Sequence, residues 1–173
     1  MTDSVLVDYG AVHDADTVRW LSSADLRATF GFSGEISVES HRRWVETARD
    51  THLWAVVDRA GRHCGNTLLH VNQRHRSGYL QMYIGEPTAR GLGLGSAALH
   101  ETLSKAFQAL DLHRVWLHTL PGNLAAQALY RKHGFTSEGV ERESIRSGDR
   151  FISQDRWSLL ADEWREGLRR RAG

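Results

Sequence analysis

The chain has 173 residues, of which 40% are hydrophobic and 25% charged, with a formal net charge of +1. That length suits one domain over 1–173 with a real core, and the composition excludes a disordered chain, while near-neutral charge argues against a nucleic-acid partner. No apolar run approaches the roughly 20 residues of a membrane span. The start Met-Thr-Asp-Ser lacks the basic and apolar stretches of a secretory signal, so no membrane association and a cytoplasmic location are expected.

Taken in chain order, the hydrophobic period predicts a strand over 5–9 and a helical stretch over 14–30 with a break at Ser22-Ser23. A loop follows over 31–37, then an amphipathic helix to about residue 50, started by Ser37 and Ser40 and carrying Trp44, Val45 and Ala48 on one face. Strands over 53–57, 64–71 and 79–84, separated by turn formers, suit an antiparallel meander. Leu99, Leu103, Ala106, Phe107 and Leu110 then mark one apolar helical stripe. A strand over 114–120, a helix over 123–133, two strands over 135–141 and 151–159 and a short terminal helix complete the chain. The Arg169-Arg170-Arg171 run complements the dipole of that last helix.

The single cysteine, Cys64, excludes an internal disulfide and reads as a small buried hydrophobe rather than a nucleophile. Ten histidines without a paired ligand spacing predict no metal.

The chemistry starts at Arg90-Gly91-Leu92-Gly93-Leu94-Gly95, directly ahead of the apolar helix. Glycines at a loop-to-helix junction turn successive backbone N–H groups into one concavity, and the helix start favours an anion there. A P-loop would need a Lys after the spacer, and none follows Gly95. Gly93, Gly95 and Ala98 formally satisfy a dinucleotide fingerprint, but the preceding strand ends too early and no acid follows at the right distance. The remaining pattern is an acyl-CoA cradle, Arg or Gln, two residues, Gly, one residue, then Gly or Ala, and 90–95 fits it at every fixed position.

With that motif, and with Asn123-Leu-Ala-Ala-Gln-Ala-Leu-Tyr130-Arg-Lys-His-Gly134-Phe135 downstream, the sequence resembles the GCN5-related N-acetyltransferase (GNAT) family over nearly its whole length. It looks most like the branch of ribosomal-protein N-terminal and amino-sugar acetyltransferases. The resemblance implies an α/β (α+β) fold with a mixed, mostly antiparallel sheet of six or seven strands, helices on both faces, and a split between two central strands. It also implies acetyl-CoA as cosubstrate and a primary amine as acceptor, either a small amine, an amino sugar or a protein N-terminus. A homodimer is compatible with it. A non-catalytic acyl-CoA-binding regulatory domain is the alternative.

On this resemblance the pyrophosphate sits on the amides of Leu92, Gly93, Leu94, Gly95 and Ser96, with Arg90 and Gly91 opening the loop. The pantetheine arm runs along Met82, Tyr83 and Ile84, and an amide at Tyr83 or Ile84 polarises the thioester carbonyl. Tyr130 is the candidate general acid, because a phenol keeps its proton at neutral pH and can meet a leaving thiolate. Asn123 caps its helix or touches the cofactor. For the base, His118 stands where related enzymes often carry a Glu, Glu86 is the alternative, and an amine arriving neutral would need neither. The acceptor is assigned to Trp20, Phe30, Phe32 and Trp44 as pocket walls, with His41, Arg42 and Arg43 meeting an anionic group on it.

Overall fold

A computed structural model of the protein describes residues 4–30 and 34–172, with side chains described as far as 170. Among these residues seven strands form one sheet in the order β1-β2-β3-β4-β5-β7-β6. They are β1 (Leu6–Asp8), β2 (Thr51–Val57), β3 (His63–Asn72), β4 (Ser77–Ile84), β5 (Arg114–Thr119), β6 (Thr136–Ser147) and β7 (Arg150–Leu160). Among the described residues six α-helices surround it: α1 (Asp14–Leu21), α2 (Ala24–Phe30), α3 (Val38–Thr47), α4 (Leu94–Ser104), α5 (Leu124–Lys132) and α6 (Ala161–Ala172). The expected break at Ser22-Ser23 separates α1 from α2, and the meander is β2-β3-β4, antiparallel throughout.

Side chains alternate across a strand, so neighbours on β3 identify the two faces. Asn66 Nδ2 donates to Thr17 Oγ1 of α1, whereas Thr67 Oγ1 accepts from Thr102 Oγ1 of α4, which puts α1 and α4 on opposite sides. The main core lies on the α4 side, with Leu69, Leu80, Leu99, Leu103, Val115 and Leu117 among its most buried members and α5 and α6 contributing Tyr130 and Trp164. A smaller cluster of Trp20, Leu21, Leu26 and Tyr83 lies on the α1/α2 side.

The sheet is antiparallel except at β4 and β5, which run parallel and pair only at Ser77↔Arg114, Gly78↔Val115 and Tyr79↔Trp116. Beyond Tyr79 the two strands part while β3 stays paired with β4 as far as Ile84. The sheet therefore opens along Leu80–Ile84, as the resemblance implied.

β6 runs to Ser147, farther than the expected end at 141. Its pairing with β7 slips twice, between Ser137 and Gly139 and between Glu141 and Ile145. An extra residue in one strand bends it and re-aims side chains, and it interrupts the alternation that sequence reading relies on. The helix after the glycines is α-helical to Ser104 and widens into a π turn over Lys105–Ala109, which keeps Ala106 and Phe107 in the core.

Candidate active site

At Gly91 and Gly93 the backbone takes φ of +76° and +84°, values a side chain would strain, and a Cβ at either would meet nothing within 4 Å. The two glycines are there for the turn, not for lack of space. Gly93 caps α4, and its carbonyl accepts from the N–H groups of Ser96 and Ala97. The amides of Leu94 and Gly95, in the first turn, have no intrahelical acceptor and form the anion-attracting end of the helix. Ser96 stands differently from the expectation: its amide is taken by Gly93, and its hydroxyl lies 2.8 Å from His133 Nε2. Arg90 Nε donates to Ile84 O at 2.9 Å, so this cation pins the bend to the end of β4. Leu92 is exposed on the bend.

That bond also orients β4. A residue's N–H and C=O point to the same side of an extended strand, and Arg76 O, eight residues earlier, accepts from His113 and Arg114 at the start of β5. Even-numbered residues thus turn their backbone groups toward β5, and where β5 has parted, those of Met82 and Ile84 face the opening. The backbone of Tyr83 faces β3. Its side chain belongs to the α1/α2 cluster, where its hydroxyl accepts from Asn66 Nδ2 at 2.7 Å and burial pushes its pKa up to about 12.

A cavity of about 150 Å³ occupies the opening. From the α4/α5 side it is lined by Met82, Asn123 and Tyr130, and from the other by Phe30, Tyr79 and His118. Asn123 caps α5 through its Oδ1, which accepts from Ala126 N at 3.1 Å. Tyr130 is 7% exposed, its ring packed near Phe135, and burial raises its pKa above the ordinary phenol value. Its hydroxyl has no hydrogen-bond partner among the described residues, although it is not sealed from the cavity.

His118 shares a face with Tyr79 and Trp116; its Nδ1 lies 3.5 Å from Tyr79 Oη and its Nε2 lies 3.0 Å from Glu141 Oε2. The second contact is an ion-pair approach poorly aligned as a hydrogen bond. Burial alone would raise Glu141, but His118 and Arg156 outweigh it and hold the carboxyl below its ordinary pKa.

The other expected residues lie elsewhere. Glu86 sits past the end of β4, accepting from Thr88 Oγ1 and 3.7 Å from Arg19, outside the cavity lining. Trp20 is 3% exposed and packs over Gly85, a core role rather than a cavity wall. His41 is buried, with Nε2 2.9 Å from Tyr9 Oη, and burial lowers its pKa. Arg42 pairs with buried Asp14, Arg43 with exposed Glu39, and Trp44 stacks on His41 at the surface. None of these six lines the cavity. Phe32 lies outside the described residues. Tyr79, Gln81 and Gln154 also line the cavity and Glu141 touches His118; the signal for them in the sequence is polar or aromatic residues at alternate positions of the strands flanking the opening.

Residues 6–136 match the acetyltransferase (GNAT) domain family. Spermidine N(1)-acetyltransferase of Vibrio cholerae is 30% identical over 133 residues, covering 77% of this chain and 71% of that protein. YdaF of Bacillus subtilis, whose own assignment as a ribosomal N-acetyltransferase is provisional, is 30% identical over 147 residues, 84% of this chain and 79% of that one. In fold, the crystal structure of the Vibrio cholerae spermidine N-acetyltransferase with CoA and spermine superposes with a TM-score of 0.84 at 21% identity, covering 92% of this chain and 96% of that one. With the cradle, the parted strands and the Tyr130 helix in place, this chain belongs to the GNAT family of acetyltransferases.

Proposed function

We propose that this chain moves an acetyl group from acetyl-CoA to a primary amine by direct attack, with both substrates bound together. The observation that carries the reading is the chemistry on the two sides of the opened sheet. On the α4/α5 side stands the Tyr130 phenol with an unsatisfied hydroxyl, and on the α1/α2 side the His118 imidazole. A thioester entering from the first side and an amine from the second meet between an acid and a base.

The pyrophosphate is assigned to the bend at Gly91, Leu92 and Gly93 and to the free amides of Leu94 and Gly95, whose main-chain N–H groups match an anion without any lysine. The pantetheine arm follows the unpaired edge at Met82 and Ile84, and the Ile84 N–H is the donor best turned toward a thioester carbonyl as charge builds on its oxygen. Tyr130, raised by burial, keeps its proton at neutral pH and gives it to the departing thiolate. His118 accepts the proton of the ammonium, directly or through one water. Acetyl-CoA in this reading is a substrate, and no covalent intermediate on the protein is needed.

Among the described residues the cavity lining holds no carboxylate, arginine or lysine; besides the two tyrosines, its neutral polar members are Thr29, Gln81, Thr119, Asn123 and Gln154. A long polycation is stabilised by carboxylates spaced along it. The lining therefore supports a singly charged acceptor, a peptide N-terminus or an amino sugar, ahead of a polyamine.

The test is release of free thiol from acetyl-CoA against peptides, amino sugars and polyamines. Amine-dependent release is expected, and Tyr130→Phe should lower kcat by about 10²-fold with KM for acetyl-CoA unchanged. Binding of acetyl-CoA without turnover on any amine would support the regulatory alternative, and a parental rate in Tyr130→Phe would remove the acid role.

A further inference from the structure

Glu141 lies on β6, two strands away from β5, yet its carboxylate touches His118. Three local features bring it there. Glu141 pairs with Gln154 on β7 just before the second slip in the β6 register, so its side chain sits beside the widened part of the strand. Across β7, Arg156 is the register partner of His118, and its Nη1 donates to Glu141 Oε1 at 2.8 Å. Arg156 itself lies over the Trp116 ring, its Cζ 4.3 Å from the centroid. The carboxylate is thus anchored through one oxygen and presents the other, at 3.0 Å, to His118 Nε2.

An ionised carboxylate can only accept, so its charge beside Nε2 favours the hydrogen on that nitrogen, even though the approach is not aligned as a hydrogen bond. The neutral imidazole then has its lone pair on Nδ1, the nitrogen on the Tyr79 side, and Tyr79 lines the cavity with His118. At 3.5 Å the Nδ1 to Tyr79 Oη contact is too long to satisfy that lone pair fully, which leaves it open to an incoming amine proton or a bridging water. The charged and titratable groups facing His118 are Tyr79 from β4, Glu141 from β6 and Arg156 from β7, with Tyr130 of α5 across the cavity. Of these, Glu141 alone is an anion, and it stands where the imidazolium forms on proton uptake.

We propose that Glu141 is the positioning residue for His118: it fixes the Nε2–H tautomer, leaves Nδ1 as the base that faces the acceptor amine, and stabilises the imidazolium after transfer. This inference rests on His118 being the base, and the experiment separates the two claims. Glu141→Gln, His118→Ala and the double variant are compared in the full chain by pH–rate profiles. Histidine-labelled protein is examined by long-range ¹⁵N–¹H correlation, which reports the tautomer without reference to activity.

The expected result is a fall of at least about tenfold in kcat/KM for Glu141→Gln at neutral pH, with KM for acetyl-CoA unchanged. Its acidic limb should move to lower pH, since loss of the neighbouring anion favours the neutral ring. The parent should show Nε2–H and Glu141→Gln a population shifted to Nδ1–H, and the double variant should be no slower than His118→Ala. A parental rate and tautomer in Glu141→Gln, with His118→Ala slow, would overturn the positioning role and leave the base intact. A parental rate in His118→Ala would overturn both. A slow Glu141→Gln with unchanged tautomer and pH profile, or losses that multiply in the double variant, would assign Glu141 a structural or separate task and overturn the inference.

Discussion

Tyr130 carries two demands at once, a ring buried near Phe135 and a hydroxyl left without a protein partner at the cavity. A phenol sealed in a core without a partner would be costly, whereas this hydroxyl opens on the cavity, where a ligand or water can reach it. Tyr130 and Asn123 were readable in the sequence because both lie in one short helical motif whose spacing sets their geometry. Glu141 was not, since its contact with His118 crosses from β6 to β5 and no local pattern relates positions 118 and 141. The same distinction applies to glycines. Gly93→Ala meets no neighbouring atom, so its cost is the left-handed backbone alone, about 1 kcal/mol. Chemical denaturation should show that small loss, and titration calorimetry should show weaker CoA binding, because the bend that aligns the amides is what the substitution strains.

At the scale of elements, the parting of β4 from β5 builds the site. Period-2 patterning announces both strands, but which edge of each is paired depends on strand order, which hydrophobicity does not encode. The helices α1 and α2 were also legible, break included, yet their aromatic residues were assigned to the acceptor when Trp20 serves the packing of α1 on the sheet. Periodicity reports that a residue is on an apolar face and is silent on whether that face meets a ligand or a strand. The packing yields a test: a Cβ on Gly85 would lie 2.1 Å from the Trp20 ring. Gly85→Ala should destabilise the fold by about 1–3 kcal/mol, read from the urea midpoint, because a ring 3% exposed has nowhere to move.

Across the whole molecule, one ionic arrangement links the second half of the sheet. Glu138, at the first slip of β6, accepts from Nη1 and Nη2 of Arg114 on β5 at 2.6 Å and from Ser158 Oγ on the intervening β7. Those bonds, Arg114 first, bring its pKa from the ordinary 4.5 to about 2. A carboxylate depressed in the folded state stabilises it above the unfolded pKa, and that contribution is lost as pH falls from about 4.5 to about 2. Glu138→Gln should therefore flatten the dependence of the thermal midpoint on pH in that window, and because the pair is partly exposed, raised salt should weaken the parent's dependence too. The amino-acid sequence by itself determined the order of elements, the glycine bend with its exposed amides, and the helix bearing Asn123 and Tyr130, because each is set by chemistry within a dozen neighbouring residues. Only the tertiary structure decided that His118 meets Tyr79 and Glu141, that Glu86 and His41 stand apart, and that Ile84 rather than Tyr83 turns its amide to the opening, because these follow from strand order, register and bulges, which act between positions far apart in the chain.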